Sequence, residues 1–185
     1  EFLVQRSFGK TTGWVGYTWA HSKRQFDREG QMINDGKVFP AKYDRRHDIS
    51  ITVQHKFSEK FDLSGTWVFS SGNCGTLGTQ LYDGLLTIST WNDIPTIPSI
   101  QALERNNFRL GNYHRLDLGA NFHIPFEYGT STINVSVYNV YNHNNPFLVY
   151  TSAYEWDEAT QQQVKKLMQV SIFPIIPSVS FSYKF

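Results

Sequence analysis

The sequence predicts an all-β chain and, within that class, a stretch of wall from a transmembrane antiparallel β-barrel. Three observations carry the prediction. The last nine residues, Pro177 to Phe185, alternate strictly: Val179, Phe181, Tyr183 and Phe185 fall on one side of a strand, and Ser180, Ser182 and Lys184 on the other, because successive strand side chains point to opposite faces. One apolar face and one polar face suit a strand placed between lipid and water. Aromatic residues make up 16% of the 185 residues, yet mean hydropathy is −0.40. No window approaches the roughly 20 apolar residues of a membrane helix, whereas a barrel hides its apolar face by alternation and needs Tyr, Trp and Phe at its interfaces. Finally, no helical period interrupts about nine strand-like stretches, so consecutive antiparallel hairpins are the simplest topology.

In chain order, Phe2 to Ser7 reads as the end of a strand and Phe8-Gly9-Lys10-Thr11 as a tight turn. From Thr12 the chain alternates, with Val15, Tyr17 and Trp19 against Gly16, Thr18 and Ala20. A long polar connection, roughly Gln25 to Tyr43, carries Gly30, Gly36 and Pro40. Ile49, Ile51, Val53 and Phe57 then alternate with Asp48, Ser50, Thr52, Gln54 and Lys56. After the turn Ser58-Glu59-Lys60, Phe61, Leu63, Trp67 and Phe69 oppose Asp62, Ser64, Thr66 and Ser70. A second long connection runs roughly from Ser71 to Gly111, with Leu85 to Trp91 as a short extension. Leu116, Leu118, Ala120, Phe122 and Ile124 are opposed by Arg115, Asp117, Gly119, Asn121 and His123. Pro125 to Gly129 turns the chain into Ile133, Val135 and Val137 against Asn134, Ser136 and Tyr138. Asn142 to Pro146 reads as a turn, Phe147 to Tyr154 as a weaker strand, Glu155 to Gln161 as another turn, and Lys166 to Ile172 as the penultimate strand, expected to pair with the last around Val170.

With the C-terminus on the periplasmic side, the connections at Glu155, Phe126, Glu59 and Gly9 are periplasmic, and all are short. The others include both long ones, the asymmetry of outer-membrane barrels. The chain opens at Glu1 without an initiator Met or signal peptide, so it is expected to be part of something larger. A net charge of +1 gives no reason to expect a nucleic-acid partner. The single cysteine, Cys74, excludes a disulfide framework within the stretch.

Four stretches resemble the C-terminal part of TonB-dependent outer-membrane receptors, of the kind common in Bacteroidetes. Phe39-Pro40-Ala41-Lys42-Tyr43-Asp44-Arg45-Arg46-His47-Asp48 resembles the family's lead into a mid-barrel strand, and Tyr113 to Gly119 its later strand containing Arg-Leu-Asp. Val137-Tyr138-Asn139-Val140-Tyr141-Asn142 with Asn145-Pro146 is similar to its Asn-rich segment, and Pro174 to Phe185 to its closing strand. The resemblance implies a 22-stranded barrel with an N-terminal plug in its lumen. It also implies a TonB-box segment coupling import to the proton-motive force. About nine strands cannot close such a barrel, so residues 1–185 are expected to be its C-terminal portion, and the plug and N-terminal strands of the same receptor its partners. The other implied partners are TonB, the lipid bilayer of the bacterial outer membrane, a surface lipoprotein, and the barrel assembly machinery. That machinery would read Val179, Phe181, Tyr183 and Phe185 as its signal.

The two long connections are where ligand selection is expected: Arg24, Phe26, Arg28 and Tyr43 from the first, and Tyr82, Asp83, Trp91, Asp93 and Arg105 from the second. Aromatics with a few polar groups suit a siderophore, a sugar or cobalamin about equally. Arg115 and Asp117, two apart, share a face and with Asp48 are expected to face the lumen, since a lipid-facing charge at mid-membrane costs about 2–4 kcal/mol. Lys56, Asp62 and Lys184 are placed inward, or near an interface, by the same argument. The cluster Arg45, Arg46, His47 and Asp48 reads either as a ligand contact or as an ion-pair network anchoring a loop. His21, His47, His55, His114, His123 and His143 make no compact metal spacing. No phosphate loop or nucleophile setting appears, and Cys74 reads as an incidental thiol. No catalytic residue, metal ligand or cofactor is therefore assigned. The leading expectation is an importer of a scarce nutrient, a ferric siderophore or similar iron complex first, with glycan, peptide or cobalamin import as the alternative. An outer-membrane barrel enzyme and a soluble all-β binding protein are the rivals from other classes.

Overall fold

The computed structural model describes residues 1–78, 80–85, 96–101, 104–152, 155–159, 161–164 and 166–185. Apart from a 3₁₀ turn at Asn34–Gly36, their regular structure is all β. Seven strands form one antiparallel sheet: β1 (Phe2–Arg6), β2 (Thr11–Trp19), β3 (His47–Lys56), β4 (Phe61–Ser70), β5 (Tyr113–Phe126), β6 (Gly129–Tyr138) and β7 (Ile176–Lys184). Their order in the sheet is their order in the chain. The chain divides into two compact units: the sheet unit, Glu1–His21, Arg45–Gly72 and Gly111–Phe185, and a loop unit, Ser22–Asp44 and Asn73–Leu110.

The register turns alternation into two faces. Val4, Val15, Ile51, Trp67 and Leu116 form one row across five strands. Lys56, Asp62, Asn121, Asn134 and Ser180 form a row on the opposite face. The apolar face is exposed: Val179 is 72% and Phe181 67% accessible. Among the described residues the only buried apolar side chains are Phe39, Ala41 and Cys74, all in the loop unit. The sheet unit instead buries Asp62, Ser70, Ser71, Ser131 and Asn139. It is inside-out relative to a water-soluble domain, whose apolar residues turn inward.

Aromatic rings border the apolar face at both ends. At one end His55, Phe57, Phe61 and Phe122 follow one another at centroid distances of 4.4, 5.5 and 5.1 Å. At the other, Tyr17 stacks on His47 and Trp67 on Phe69, both at 6.1 Å. The first end carries the short connections, 7–10, 57–60 and 127–128; the second carries 20–46, 71–112 and 139–175. Glycine is required at the tightest of the short turns: a Cβ on Gly129 would lie 2.4 Å from the Lys184 carbonyl oxygen and 2.8 Å from the Tyr183 hydroxyl.

Three expectations are corrected. Phe147 to Tyr154 and Lys166 to Ile172 are not sheet strands; Leu148–Thr151 pairs with Leu167–Val170, and Glu155–Asp157 with Gln162–Val164, as a local ribbon. The closing strand β7 pairs with β6, from Thr130↔Lys184 to Tyr138↔Ile176, and not with the segment around Val170. The sheet therefore has seven strands, not nine. The turn at Glu155 falls within the long connection 139–175, at the opposite end from the short turns. The physical reason is length. Two four-residue runs satisfy each other locally, whereas β6 offers nine consecutive partners to β7. Among the described residues the sheet is open, with β1 and β7 as its edges.

Candidate functional site

The loop unit is drawn together by side chains clamping distant backbone. Asp44, 2% exposed, pairs with the Arg109 guanidinium at 2.5 Å and accepts the Ser22 amide at 2.7 Å. Arg109 also donates to the Asp44 carbonyl. Asn34 meets both backbone groups of Arg105, at 2.7 and 3.0 Å. Asn107 does the same to Leu77, at 2.9 Å for each bond. Asn106 donates to the Pro40 carbonyl at 2.8 Å, and its amide donates to the Thr76 hydroxyl at 3.0 Å. Two short ladders, Lys23–Arg24 with Phe39–Pro40 and Cys74–Gly75 with Phe108–Arg109, complete the frame.

This frame encloses a cavity of about 550 Å³. Arg24, Phe26, Tyr43 and Arg105, four of the residues singled out from sequence, line it. Phe39 and Lys42 join them, neither of which is among the residues expected to select ligand. Phe26 rests against Phe39 at 6.1 Å, and the Lys42 ammonium lies 5.5 Å from the Tyr43 ring. Cys74, buried at 3% exposure, is part of the wall. Arg28 lines a second recess with Gln25 and Gln31. Tyr82 and Asp83 lie on the strand Gln80–Leu85, opposite Ser99 and Pro98 of Thr96–Gln101. Trp91 and Asp93 lie outside the described residues, as does most of the extension expected from Leu85 to Trp91.

On the sheet, Asp48, Arg115 and Asp117 share the polar face. Arg115 donates to the hydroxyls of Tyr113 and Tyr138 at 2.8 and 2.7 Å, lies 4.3 Å over the Tyr138 ring, and bridges Asp117 at 2.9 Å. Asp117 in turn accepts the Asn139 amide at 3.0 Å. Asn139 is fully buried with φ +53°, a left-handed conformation that Asn tolerates better than most residues. Its side chain holds His143 through both backbone groups and also donates to the Phe173 carbonyl. Asn145 clamps His114 in the same way, and Asn142 accepts the Ile175 amide. The Asn-rich segment thus roots the connection 139–175 on the sheet. Asp48 meets Arg45 only at 3.9 Å with both half exposed, a pair worth about 0–1 kcal/mol.

A second polar network was not singled out as a site. Asp62, 5% exposed, accepts His123 Nε2 at 2.7 Å, Asn121 at 2.8 Å and Gln54 at 3.2 Å. His123 Nδ1 meets the Thr132 hydroxyl at 2.9 Å, and Asn134 donates to Asn121 at 2.7 Å. The sequence signal was present: polar residues recur two apart on each of four neighbouring strands, so a register would align them. His114 and His143, 29 positions apart, stack at 3.7 Å. Among the described residues no three His, Cys, Asp or Glu side chains gather as a metal-holding group.

Neither a family model, nor a curated protein, nor a solved structure matches the chain. The class that fold and geometry define is an all-β chain with a large two-faced antiparallel sheet. Its loop unit carries a cavity lined by cations and aromatic rings.

Proposed function

We propose that the chain is the C-terminal wall of a TonB-dependent outer-membrane transporter that imports a scarce nutrient, a ferric siderophore or similar iron complex first. The single observation that carries this reading is the inside-out sheet unit: its apolar face is exposed, and the side chains it does bury, Asp62, Ser70, Ser71, Ser131 and Asn139, are polar. An apolar face edged by two aromatic rows has the form of a bilayer-facing wall. The hydrogen-bonded opposite face suits a lumen filled by water and a plug. Strands β2 to β7, nine to fourteen residues long, bracket or exceed the roughly 9–11 residues needed to cross the hydrocarbon layer. The open edges of β1 and β7 call for partner strands, because unpaired backbone groups in lipid cost several kcal/mol each. In this reading the remaining wall strands of the same receptor supply them, and its plug fills the lumen.

In this reading the long connections face the outside and capture the ligand, and the plug, pulled by TonB, opens the path. Arg115, Asp117 and Asp62 hold the wall and its loop roots; they carry out no covalent chemistry. The assembly machinery reads Val179, Phe181, Tyr183 and Phe185. A surface lipoprotein is a further partner for the long connections. The test is uptake in a strain lacking the full-length protein, complemented with or without a working TonB. The expected result is a protein extracted only with detergent from the outer-membrane fraction, and iron-complex uptake that needs both it and TonB. Release without detergent, or uptake indifferent to TonB, overturns the proposal. Loss of glycan, peptide or cobalamin uptake instead, with iron uptake intact, selects the alternative substrates.

A further inference from the structure

We infer that the loop-unit cavity binds a polyanion built on an aromatic or otherwise apolar body, its charge carried by phenolate or carboxylate oxygens. Arg24, Lys42 and Arg105 line the cavity, and no Asp or Glu is among the described residues lining it. None of the three cations forms an ion pair among the described residues. The one carboxylate buried in the unit's frame, Asp44, already pairs with Arg109 and accepts the Ser22 amide. Three like charges around one concavity repel one another, and an incoming anion relieves that repulsion while gaining charge-assisted hydrogen bonds.

The remaining wall matches a ring-bearing body. Phe26 and Phe39 are held at 6.1 Å and a 31° tilt, and Tyr43, 70% exposed, adds a third ring with a hydroxyl tip. The Lys42 ammonium lies 5.5 Å from the Tyr43 ring centroid, so cation and aromatic surface stand side by side, and a ring-bearing anion can stack while its charge is paired. About 550 Å³ suits a small metal chelate or an aromatic acid. The backbone of Arg105 is fixed by Asn34, and Asn106 is tied to Pro40 and Thr76. The segments carrying the charges therefore start pre-positioned, which lowers the ordering cost of binding. This inference deepens the transporter reading, on which it rests for the cavity's access to the cell's surroundings. It selects an anionic cargo over neutral glycans or neutral chelates.

The experiment is equilibrium binding to the full-length receptor in detergent. One arm uses the iron(III) tris-catecholate complex of 2,3-dihydroxybenzoate and another uses benzene-1,3,5-tricarboxylate, separating phenolate from carboxylate sources. The neutral hydroxamate chelate ferrichrome and the neutral sugar maltohexaose serve as comparison probes. The expected result is binding of at least one anion and neither neutral probe, weakened as salt screens the cations. Arg24→Gln, Lys42→Gln and Arg105→Gln should each weaken it roughly tenfold or more, while Asp27→Asn, in the other recess, should leave it unchanged. Hydrogen exchange at the Cys74 and Leu110 amides, bonded within the unit, verifies that each variant keeps the frame. Neutral probes binding as tightly, no anion binding, or a triple Gln variant that is folded and binds as well as wild type, overturns the inference. TonB-dependent uptake, measured separately, distinguishes the two failures. Uptake with an indifferent cavity sinks only this inference; anion binding without TonB-dependent uptake sinks only the transporter reading.

Discussion

Replacing Asp44 with Ala should open the loop unit while leaving the sheet untouched. The carboxylate is 2% exposed and holds the Arg109 guanidinium at 2.5 Å and the Ser22 amide at 2.7 Å. Breaking a buried pair by removing one partner costs about 3–5 kcal/mol. The Arg109 side chain is 29% exposed, so it recovers part of its hydration, and the discounted cost is about 2–4 kcal/mol. At about 1.4 kcal/mol per tenfold, the open state becomes roughly 30 to 700 times more populated. Hydrogen exchange read by mass spectrometry reports that population directly. Amides of Ala41, Cys74 and Leu110, bonded to Ser22, Lys42 and Asn73, should exchange faster by that factor. Amides in β3, β4 and β5 should not change. Asp44→Asn keeps an acceptor for Ser22 but loses the charge, and should fall between. Acceleration below about threefold, a change of less than about 0.7 kcal/mol, would refute the reasoning; so would equal acceleration in both units, which would mean that Asp44 supports the whole chain.

Asp62→Ala leaves the donors of Gln54, Asn121 and His123 without their acceptor; with the polar face partly hydrated, the loss is about 2–4 kcal/mol, seen as a lower denaturant midpoint in detergent, and Asp62→Asn should lose less. Gly129→Ala forces β6 from β7 at the Lys184 carbonyl, costing about 1–3 kcal/mol; adding Tyr183→Ala should not restore the melting temperature, because the carbonyl clash is backbone. Burial pushes the Tyr141 phenol above its ordinary value, with the negative charge of Asp117 adding to the rise. Its neutral form is the one folding favours, so its contribution is complete below about pH 10 and is lost as pH climbs through the raised folded value. Tyr141→Phe should therefore flatten the alkaline limb of a stability-against-pH curve.

Period-2 alternation made the sheet's two faces legible residue by residue, and the long and short connections could be read from where alternation broke. Alternation says that a segment has two faces; it does not say which segment lies beside it. That is why Met168 and Val170, correctly placed on one face, were given to the wrong partner: their run pairs with Leu148–Thr151 over four residues, too short to cross a bilayer. The cavity was half legible. Arg24, Phe26, Tyr43 and Arg105 stood out as aromatic and cationic groups in long connections. Lys42 and Phe39 did not, because what brings them to the same wall is Asn106 reaching the Pro40 carbonyl and Arg109 reaching Asp44, across 66 and 65 positions. The partnership of Asp62 with His123 spans 61 positions and was hidden for the same reason.

The pairing of β7 with β6 sets how the sheet must be assembled in time. The hairpin β5–β6 turns through residues 127–128 and needs only local closure. Strand β7 meets Val135 from Val179, 44 positions later, so its docking is a search by a tethered end. Loop-closure entropy grows slowly with tether length, about 0.6 kcal/mol per doubling. Removing the ribbon between Leu148 and Val170 should therefore alter the rate at which the last strand docks far more than the equilibrium it reaches. A chain under selection has room to rebuild that ribbon freely, provided Asn139, Asn142 and Asn145 keep their hold on the roots.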